Sequence, residues 1–228
     1  KEKFVYILLL IIIFVTSIFL DKINWTKDTG EDLDITLVQG SIPQEIKWQS
    51  DQKEKSFNIY TELSEPFWMS DLIIWPETAI ASRYHPANNF IMEISKKRQG
   101  SNAFFMAGIV KEDIDTEKYF NSIMFIGHKY HFYNKHHLVP FGEYLPFSKV
   151  LRRPFRFFNI PISDFTSGEY NLKNFETDKG NFGMSICYED AYGEEIRRSM
   201  PEANILINVS NDAWFGDSIA PLQHLQIT

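Results

Sequence analysis

Three reactive side chains stand at the ends of predicted strands in this 228-residue sequence. Glu77 follows the apolar run "LIIWP", Lys135 follows "HFYN", and Cys187, the single cysteine, follows "FGMSI". Functional groups of open α/β sheets gather just beyond the carboxyl ends of their strands. The three positions therefore favour one shared site that contains a carboxylate, an ammonium and a thiol.

These three groups together meet the requirements of thiol catalysis. A thiol with a reference pKa of about 8.5 is mostly protonated at neutral pH. A carboxylate within hydrogen-bond reach can take that proton, and an ammonium stabilises first the thiolate and then the oxyanion of an attacked carbonyl. Taken singly, each residue has an ordinary interpretation as a buried thiol, a surface carboxylate or a solvated lysine. It is the combination that predicts catalysis.

Histidines close to Lys135 offer two competing interpretations. A cysteine–histidine pair could use His136 or His137, but no strand-end Asn or Asp obviously orients either ring. A metal site is disfavoured, because His128 and His131 would point to opposite faces of a strand and no Cys or Asp completes a usual ligand set. The sequence therefore predicts neither a metal nor a cofactor.

An alternation of strands and helices positions the three groups. Apolar, strand-like runs at 34–40, 71–78 and 103–110 are separated by segments with helical periodicity. This β-α-β-α-β order predicts a mixed α/β domain whose sheet is covered by helices. One of the helical segments, 43–67, is expected to form a single helix. Its buried face would carry Phe57, Tyr60, Leu63 and Phe67.

The N-terminal segment is typical of a membrane helix. Residues 4–20 contain no charge and, at about 1.5 Å per residue, are just long enough to cross a bilayer. The segment is apolar on every face and no small-residue cleavage site follows it, which disfavours a core helix and a secretory signal. We expect a transmembrane helix over 1–22 that ends a membrane domain, a linker over 23–33 and a catalytic domain over 34–228 that is truncated at its C-terminus.

Composition and charge narrow the classes of partner. The chain is 44% hydrophobic, which disfavours disorder. Its net charge of −7 would repel a phosphate backbone, so no nucleic-acid partner is expected. Lys1 and Lys3 precede the apolar helix and weakly place the following residues outside the cytoplasm.

The motifs around the three residues resemble those of a known family. "WPET" with Glu77, "YNKHHLVPFGEYLP" with Lys135 and "ICYED" with Cys187 are similar to the Glu-Lys-Cys triad of the carbon–nitrogen hydrolase (nitrilase) superfamily, in the same order. The segments "VQGSIPQEIKW", "VPFGEYLP" and "NVSNDAWFGDSIAPLQH" resemble the apolipoprotein N-acyltransferase branch of that superfamily. The resemblance covers about residues 35–228. It implies a nitrilase-like α-β-β-α sandwich preceded by one transmembrane helix.

The resemblance also implies roles for individual residues. Cys187 would take an acyl chain from a phospholipid as a thioester, Glu77 would be the general base and acid, and Lys135 would stabilise the oxyanion. Glu143 matches a further glutamate that supports the lysine and the cysteine. Residues next to the nucleophile in this branch match Tyr188 and Glu189. Aromatic residues in or beside the motifs are expected to wall a dry substrate pocket, namely Trp48, Phe141, Tyr144 and Trp214.

Partners and location follow from the same resemblance. The acyl acceptor would be the N-terminal amino group of a diacylglyceryl-cysteine lipoprotein, and a monomer would act at the bacterial inner membrane with its catalytic domain on the periplasmic side. A further hypothesis is that 151–161, where arginines are interleaved with phenylalanines, forms a flap at the bilayer surface.

Two other functions remain open at this point. A nitrilase-type amidase would use the same triad with a small amide or nitrile and water, although the membrane helix and the "SNDAWFG" segment disfavour it. A membrane-anchored binding domain without activity is the third interpretation, and the intact set of Glu77, Lys135 and Cys187 argues against it.

Overall fold

The chain divides into two compact units, Lys1–Asp32 and Leu33–Thr228. A computed structural model describes residues 2–27, 32–49, 51–101, 103–148, 164–170, 174–200 and 202–228. The first unit contains helix α1, Glu2–Leu20. Its window Lys3–Leu20 has a mean hydropathy of 2.7 and is not buried within the protein. By length and composition this helix is suited to cross a membrane.

The second unit contains two β-sheets. Its strands are β1 (Ile35–Leu37), β2 (Leu72–Ile74), β3 (Ile80–Arg83), β4 (Phe104–Asp113), β5 (Lys118–Ile126), β6 (Tyr130–Asn134), β7 (Phe175–Glu176), β8 (Asn181–Ile186) and β9 (Ile205–Val209). The larger sheet has the order β1-β2-β4-β5-β6, with β3 also paired to β4. Strands β1, β2, β3 and β4 pair in parallel, and β5 and β6 continue the sheet antiparallel. The smaller sheet has the order β7-β8-β9, in which β8 and β9 are parallel.

Helices and short 3₁₀ turns connect these strands. The helices are α2 (Gln44–Lys47), α3 (Lys53–Ser64), α4 (Asn88–Gln99), α5 (Gly193–Ser199) and α6 (Ala220–Ile227). The 3₁₀ turns are Glu65–Phe67, Cys187–Ala191 and Asp212–Phe215. The turn Cys187–Ala191 directly follows β8 and begins with the single cysteine.

Two apolar clusters give the domain its layers. On one face of the larger sheet, Trp75 and Phe105 pack against α3 and α4 through Tyr60 and Ile91. The opposite face packs against the smaller sheet, and α5 packs on β8 beyond it. Alternate residues of the larger sheet therefore serve two different interfaces, as a doubly covered sheet requires. The expected mixed α/β fold with helices outside two sheets is confirmed.

The single helix expected over 43–67 is wrong. The structure has two helices, α2 and α3, and the inward face of α3 carries Ser56, Tyr60 and Ser64. Leu63 and Phe67 are instead 45% and 47% exposed. Ser64 faces inward because its Oγ accepts a hydrogen bond of 2.9 Å from the indole N–H of the fully buried Trp75.

A close backbone approach fixes the turn after β2. A Cβ atom added at Gly108 in β4 would lie 2.3 Å from the Thr78 nitrogen and 2.5 Å from the Glu77 Cα. Both neighbours are main-chain atoms, so neither can move aside as a flexible side chain could. Only glycine allows the turn that carries Glu77 to pack this closely on β4.

We expect Gly108→Ala to destabilise the domain by roughly 1–3 kcal/mol or more, since the added methyl group must displace backbone. Denaturant unfolding of the detergent-solubilised chain, followed by tryptophan fluorescence, measures this. Gly100→Ala is the matched control, because its Cβ would be 3.8 Å from the nearest atom, the Lys97 carbonyl oxygen. Equal stability of the two variants would contradict the interpretation.

Candidate active site

Glu77 lies in the turn between β2 and β3 and is almost fully buried, with 6% of its surface exposed. Its Oε1 accepts a hydrogen bond of 2.6 Å from the Asn121 side-chain amide, and its Oε2 accepts one of 2.9 Å from the Asn211 backbone N–H. Burial raises the pKa of Glu77 above its usual value, and Lys135 and Asn121 partly offset this effect. The site therefore contains a carboxyl group with increased basicity in a fixed orientation.

Lys135 directly follows β6 and is 1% exposed. Its Nζ lies 2.9 Å from Glu143 Oε2 and 3.7 Å from Glu77 Oε1. Burial alone would lower the pKa of Lys135, but the charges of Glu77 and Glu143 outweigh burial and raise it. The side chain is consequently a permanent ammonium between two carboxylates.

Glu143 is held in turn by two further donors. Its Oε2 accepts a hydrogen bond of 2.8 Å from the Val139 backbone N–H, and its Oε1 accepts one of 2.7 Å from the Asn121 amide. Asn121 therefore bridges Glu77 and Glu143 with a single NH₂ group. This bridge fixes both carboxylates around the Lys135 ammonium.

Cys187 follows β8 and has a positive φ of 50°, a conformation uncommon for residues other than glycine. The Asn208 side-chain amide of β9 donates to the Cys187 carbonyl oxygen at 3.1 Å and so helps hold this turn. The Ser210 hydroxyl and the Tyr188 backbone N–H lie near the cysteine sulfur and act to lower the pKa of Cys187. Burial and the charge of Glu77 raise the pKa of Cys187 to about 11, against the opposing effect of Lys135.

Glu189 connects the cysteine turn to the end of the lysine strand. Its buried carboxylate accepts hydrogen bonds from the Ile186 N–H at 2.8 Å, the His136 N–H at 2.6 Å and the His137 N–H at 3.1 Å. The Tyr133 hydroxyl donates to it at 2.8 Å. One carboxylate thus joins the residues before Cys187 to those after Lys135.

A cavity of about 570 Å³ opens at these groups. Glu77, Lys135, Glu143 and Cys187 all line it, together with Trp48, Trp214 and other residues. The surface of this cavity is mainly apolar. A buried acid, an ammonium and a thiol at the wall of such a cavity can carry out acyl transfer through a thioester.

Comparison with known proteins defines the family. Residues 35–228 match the family model described as carbon-nitrogen hydrolase. The chain belongs to the carbon-nitrogen hydrolase family. Two solved structures have a similar fold: a carbon-nitrogen hydrolase from Helicobacter pylori G27 (TM-score 0.53, 16% identity, 78% of this chain, 59% of that chain) and a CN-hydrolase superfamily protein from Xanthomonas campestris (TM-score 0.54, 20% identity, 79% and 65%).

The resemblance to apolipoprotein N-acyltransferases is also confirmed. The chain is 37% identical to the apolipoprotein N-acyltransferase of Methylococcus capsulatus. The match covers 94% of this chain and 43% of that relative. It is 34% identical to the apolipoprotein N-acyltransferase of Vibrio cholerae, and this match covers 95% of this chain and 45% of that relative. The chain therefore spans less than half the length of these curated relatives.

Of the aromatic residues predicted to wall the pocket, two line the cavity and two do not. Trp48 and Trp214 line the cavity and are 41% and 62% exposed, whereas Phe141 and Tyr144 are not among its lining residues. The Tyr188 side chain is directed to the surface, where the Tyr192 hydroxyl donates to its hydroxyl at 3.2 Å. Its backbone, rather than its ring, contacts the cysteine sulfur.

The histidines beside Lys135 do not line the cavity. His137 Nε2 lies 2.7 Å from Glu195 Oε1, and the His136 Nδ1 lies 2.9 Å from the Gly168 carbonyl oxygen. Within the described ranges, His136, His137 and Glu195 form the one group whose ligand atoms could hold a metal ion, all within 4.8 Å of one another. The short His137–Glu195 contact gives these two side chains partners without a metal. The arginine-rich stretch 151–161 lies outside the described residues.

Sequence reasoning missed several polar residues around Glu77, Lys135 and Cys187. Asn121 interrupts the apolar strand β5 at a buried position and so carried a weak signal, whereas Asn211 lies two residues beyond β9. His224 lies between Asp212 and Asp190, at 2.8 and 3.1 Å, and its pKa is raised because these carboxylates outweigh burial. Its partners come from three separate segments, so only the folded chain reveals this cluster.

We expect Glu189→Gln to destabilise the fold by roughly 3 kcal/mol, because the new amide NH₂ replaces an oxygen that accepts buried hydrogen bonds. Denaturant unfolding measures the change. Glu62→Gln, on the exposed side of α3, should leave stability within about 0.5 kcal/mol. A Glu189→Gln variant as stable as this control would rule out the proposed connection between the two strand ends.

Alkylation of the single cysteine should report its raised pKa. The rate with iodoacetamide is expected to keep rising to about pH 11 in the folded chain, because burial and Glu77 disfavour the thiolate. In urea the same thiol should titrate near its reference value of about 8.5. Mass spectrometry of timed samples gives both profiles, and identical folded and unfolded profiles would contradict the assigned environment.

Proposed function

We propose that this chain is the catalytic part of an apolipoprotein N-acyltransferase. It transfers a fatty acyl chain from a phospholipid to the N-terminal amino group of a diacylglyceryl-cysteine lipoprotein. The proposal is supported by the similarity to named N-acyltransferases along more than nine tenths of the chain. The observation that carries it is the meeting of Glu77, Lys135 and Cys187 at one apolar cavity.

In the first half-reaction, the Cys187 thiol gives its proton to Glu77 as the sulfur attacks the ester carbonyl carbon. The Lys135 ammonium and the Tyr188 backbone N–H stabilise the tetrahedral oxyanion. The carbon–oxygen ester bond then breaks, and Glu77 returns the proton to the departing lysophospholipid hydroxyl. The enzyme is left with the acyl chain on sulfur as a thioester.

In the second half-reaction, the neutral α-amino group of the lipoprotein attacks the thioester carbonyl. Glu77 accepts the proton that the amine loses, and the same oxyanion donors act again. Collapse expels the sulfur, which recovers its proton, and leaves an amide. Exclusion of water favours the amine over hydrolysis, and the mainly apolar cavity supports this requirement.

The proposed location agrees with the N-terminal helix. Both substrates are lipids or carry them, so a site attached to the bilayer meets them in two dimensions. Helix α1 is long and apolar enough for such an attachment. We propose that the enzyme is a monomer of the bacterial inner membrane, with its catalytic domain on the periplasmic side.

A mass spectrometric experiment tests the reaction. The protein reconstituted in phospholipid vesicles should gain the mass of a fatty acyl group, and hydroxylamine should remove it. Cys187→Ala should lose the adduct, and Lys135→Met should form it roughly 100-fold more slowly, because an oxyanion donor is missing. Glu77→Gln should also slow it by about 100-fold or more.

The same samples separate the competing functions. Hydrolysis of a small amide or nitrile without any acyl adduct would indicate an amidase. Neither an adduct nor hydrolysis, in a folded protein that still binds lipid, would indicate a binding domain. Either result would overturn the proposed acyl transfer.

A further inference from the structure

A second buried lysine lies beside the candidate active site. Lys47, the last residue of α2, is 3% exposed. Its Nζ donates to the Thr78 hydroxyl at 2.8 Å and to the Glu77 carbonyl oxygen at 3.3 Å. The proposed reaction assigns no role to this cation. A buried ammonium is costly unless neighbouring charges compensate it, so its position requires an explanation.

The charges of the site supply part of that explanation. Glu77 and Glu143 bring two carboxylates into the interior, and Lys135 lies close to both, at 3.7 and 2.9 Å. One ammonium cannot neutralise two carboxylates. With Lys47 the four groups can reach a net charge of zero, and without Lys47 the cluster carries one uncompensated negative charge. An uncompensated negative charge favours protonation of a buried carboxylate.

The backbone at Glu77 needs support as well. Thr78 has a positive φ of 49°, which is unusual for a β-branched residue. Both hydrogen-bond acceptors of the Lys47 ammonium belong to this turn, one on each of its two residues. Strained conformations at functional sites persist only where surrounding contacts fix them. Lys47 provides such contacts.

The other end of α2 reaches the same glutamate by a different route. Gln44 Oε1 accepts a hydrogen bond of 3.0 Å from the Asn211 side-chain amide, and the Asn211 backbone N–H donates to Glu77 Oε2. The short helix α2 therefore supports Glu77 in two ways. Lys47 binds its main-chain carbonyl directly, and Gln44 supports its carboxylate through Asn211. Trp48, the next residue along the chain, lines the cavity.

We propose that Lys47 is a positioning residue for Glu77. The Lys47 ammonium holds the Glu77–Thr78 turn and widens the pH range in which Glu77 is an ionised carboxylate. The inference rests on the proposed role of Glu77 as the group that takes the Cys187 proton. Lys47 is then a fourth charged group, beside Glu77, Glu143 and Lys135, that influences this proton transfer. It does so without contacting the substrate.

The ionisation of Lys47 is consistent with this role. Burial lowers the pKa of Lys47 to about 8, although the Glu77 carboxylate opposes the change. The ammonium is therefore present below about pH 8 and is lost above it. The charged and titratable groups that act on Glu77 are Lys47 from α2, Lys135 after β6, Glu143 in the following loop and Cys187 after β8.

Alkylation of Cys187 gives a test that does not depend on acyl transfer. Because the charge of Glu77 acts on the Cys187 thiol, the pH profile of the alkylation rate should show an acid step at the ionisation of Glu77 and an alkaline rise at the ionisation of the thiol. In Lys47→Met the acid step should move up by about one pH unit, since a nearby cation is lost. The alkaline rise should stay in place, and Lys47→Arg should return the acid step toward its original pH.

Lys55→Met is the matched control, because Lys55 is an exposed lysine on the neighbouring helix α3. Its profile should superimpose on that of the parent protein. A folded Lys47→Met variant with an unshifted acid step would overturn the proposal. A lysine that acted only through packing would lower the unfolding temperature without moving that step.

A reciprocal measurement covers the case in which Lys47→Met does not fold. The ¹⁵Nζ resonance of Lys47, assigned by its loss in Lys47→Arg, should titrate at lower pH in Glu77→Gln than in the parent, because coupling between two sites is mutual. An unchanged Lys47 titration would overturn the proposal. Neither the alkylation profile nor the Lys47 titration uses a lipid substrate. Both can therefore support or overturn the role of Lys47 even if the proposed acyl transfer fails.

Discussion

The structure of the site depends on the need to compensate charges that lie away from water. Lys135 is 1% exposed and Glu77 6%, so neither ion is solvated in the usual way. An ammonium at this depth is tolerable only if carboxylates lie close to it in good geometry. The ends of β2 and β6 and the loop that contains Glu143 must therefore meet at one point. Asn121 fixes that point, because its single amide donates to both carboxylates.

Local backbone conformation then places the thiol against these charges. Cys187 adopts a positive φ directly after β8, and the bonds of Glu189 and Asn208 hold the surrounding turn. Glu189 also binds the backbone after Lys135, so it fixes the position of the two sheets relative to each other at the candidate site. A shift of either strand by one residue would turn a reactive side chain to the opposite face. The fold and the chemistry are therefore specified by the same contacts.

The sequence alone predicted the parts of this site that follow from local rules. Glu77, Lys135 and Cys187 were recognisable because each follows an apolar run, and strand ends can be located from such runs. Leu63 and Phe67 were wrongly assigned to a buried helix face, since periodicity does not record that the Trp75 indole requires a polar partner there. Lys47 was overlooked for a similar reason. Its role depends on a turn 30 residues away, and no local pattern distinguishes a buried lysine from a solvated one.

The raised pKa of Cys187 bears on how the nucleophile is formed. Cys187 would be a thiolate at neutral pH only if the Lys135 ammonium had the largest effect on its pKa. Burial and Glu77, which raise that pKa, together outweigh Lys135. The resting sulfur is therefore a neutral thiol, and Glu77 is the group beside it that can take its proton. Moving the proton from sulfur to Glu77 leaves the net charge of the buried cluster unchanged, so the step avoids a new uncompensated charge in an apolar cavity. A site of this kind would form its nucleophile only as the carbonyl arrives, which suits the proposed reaction, in which the acyl donor enters from a lipid phase.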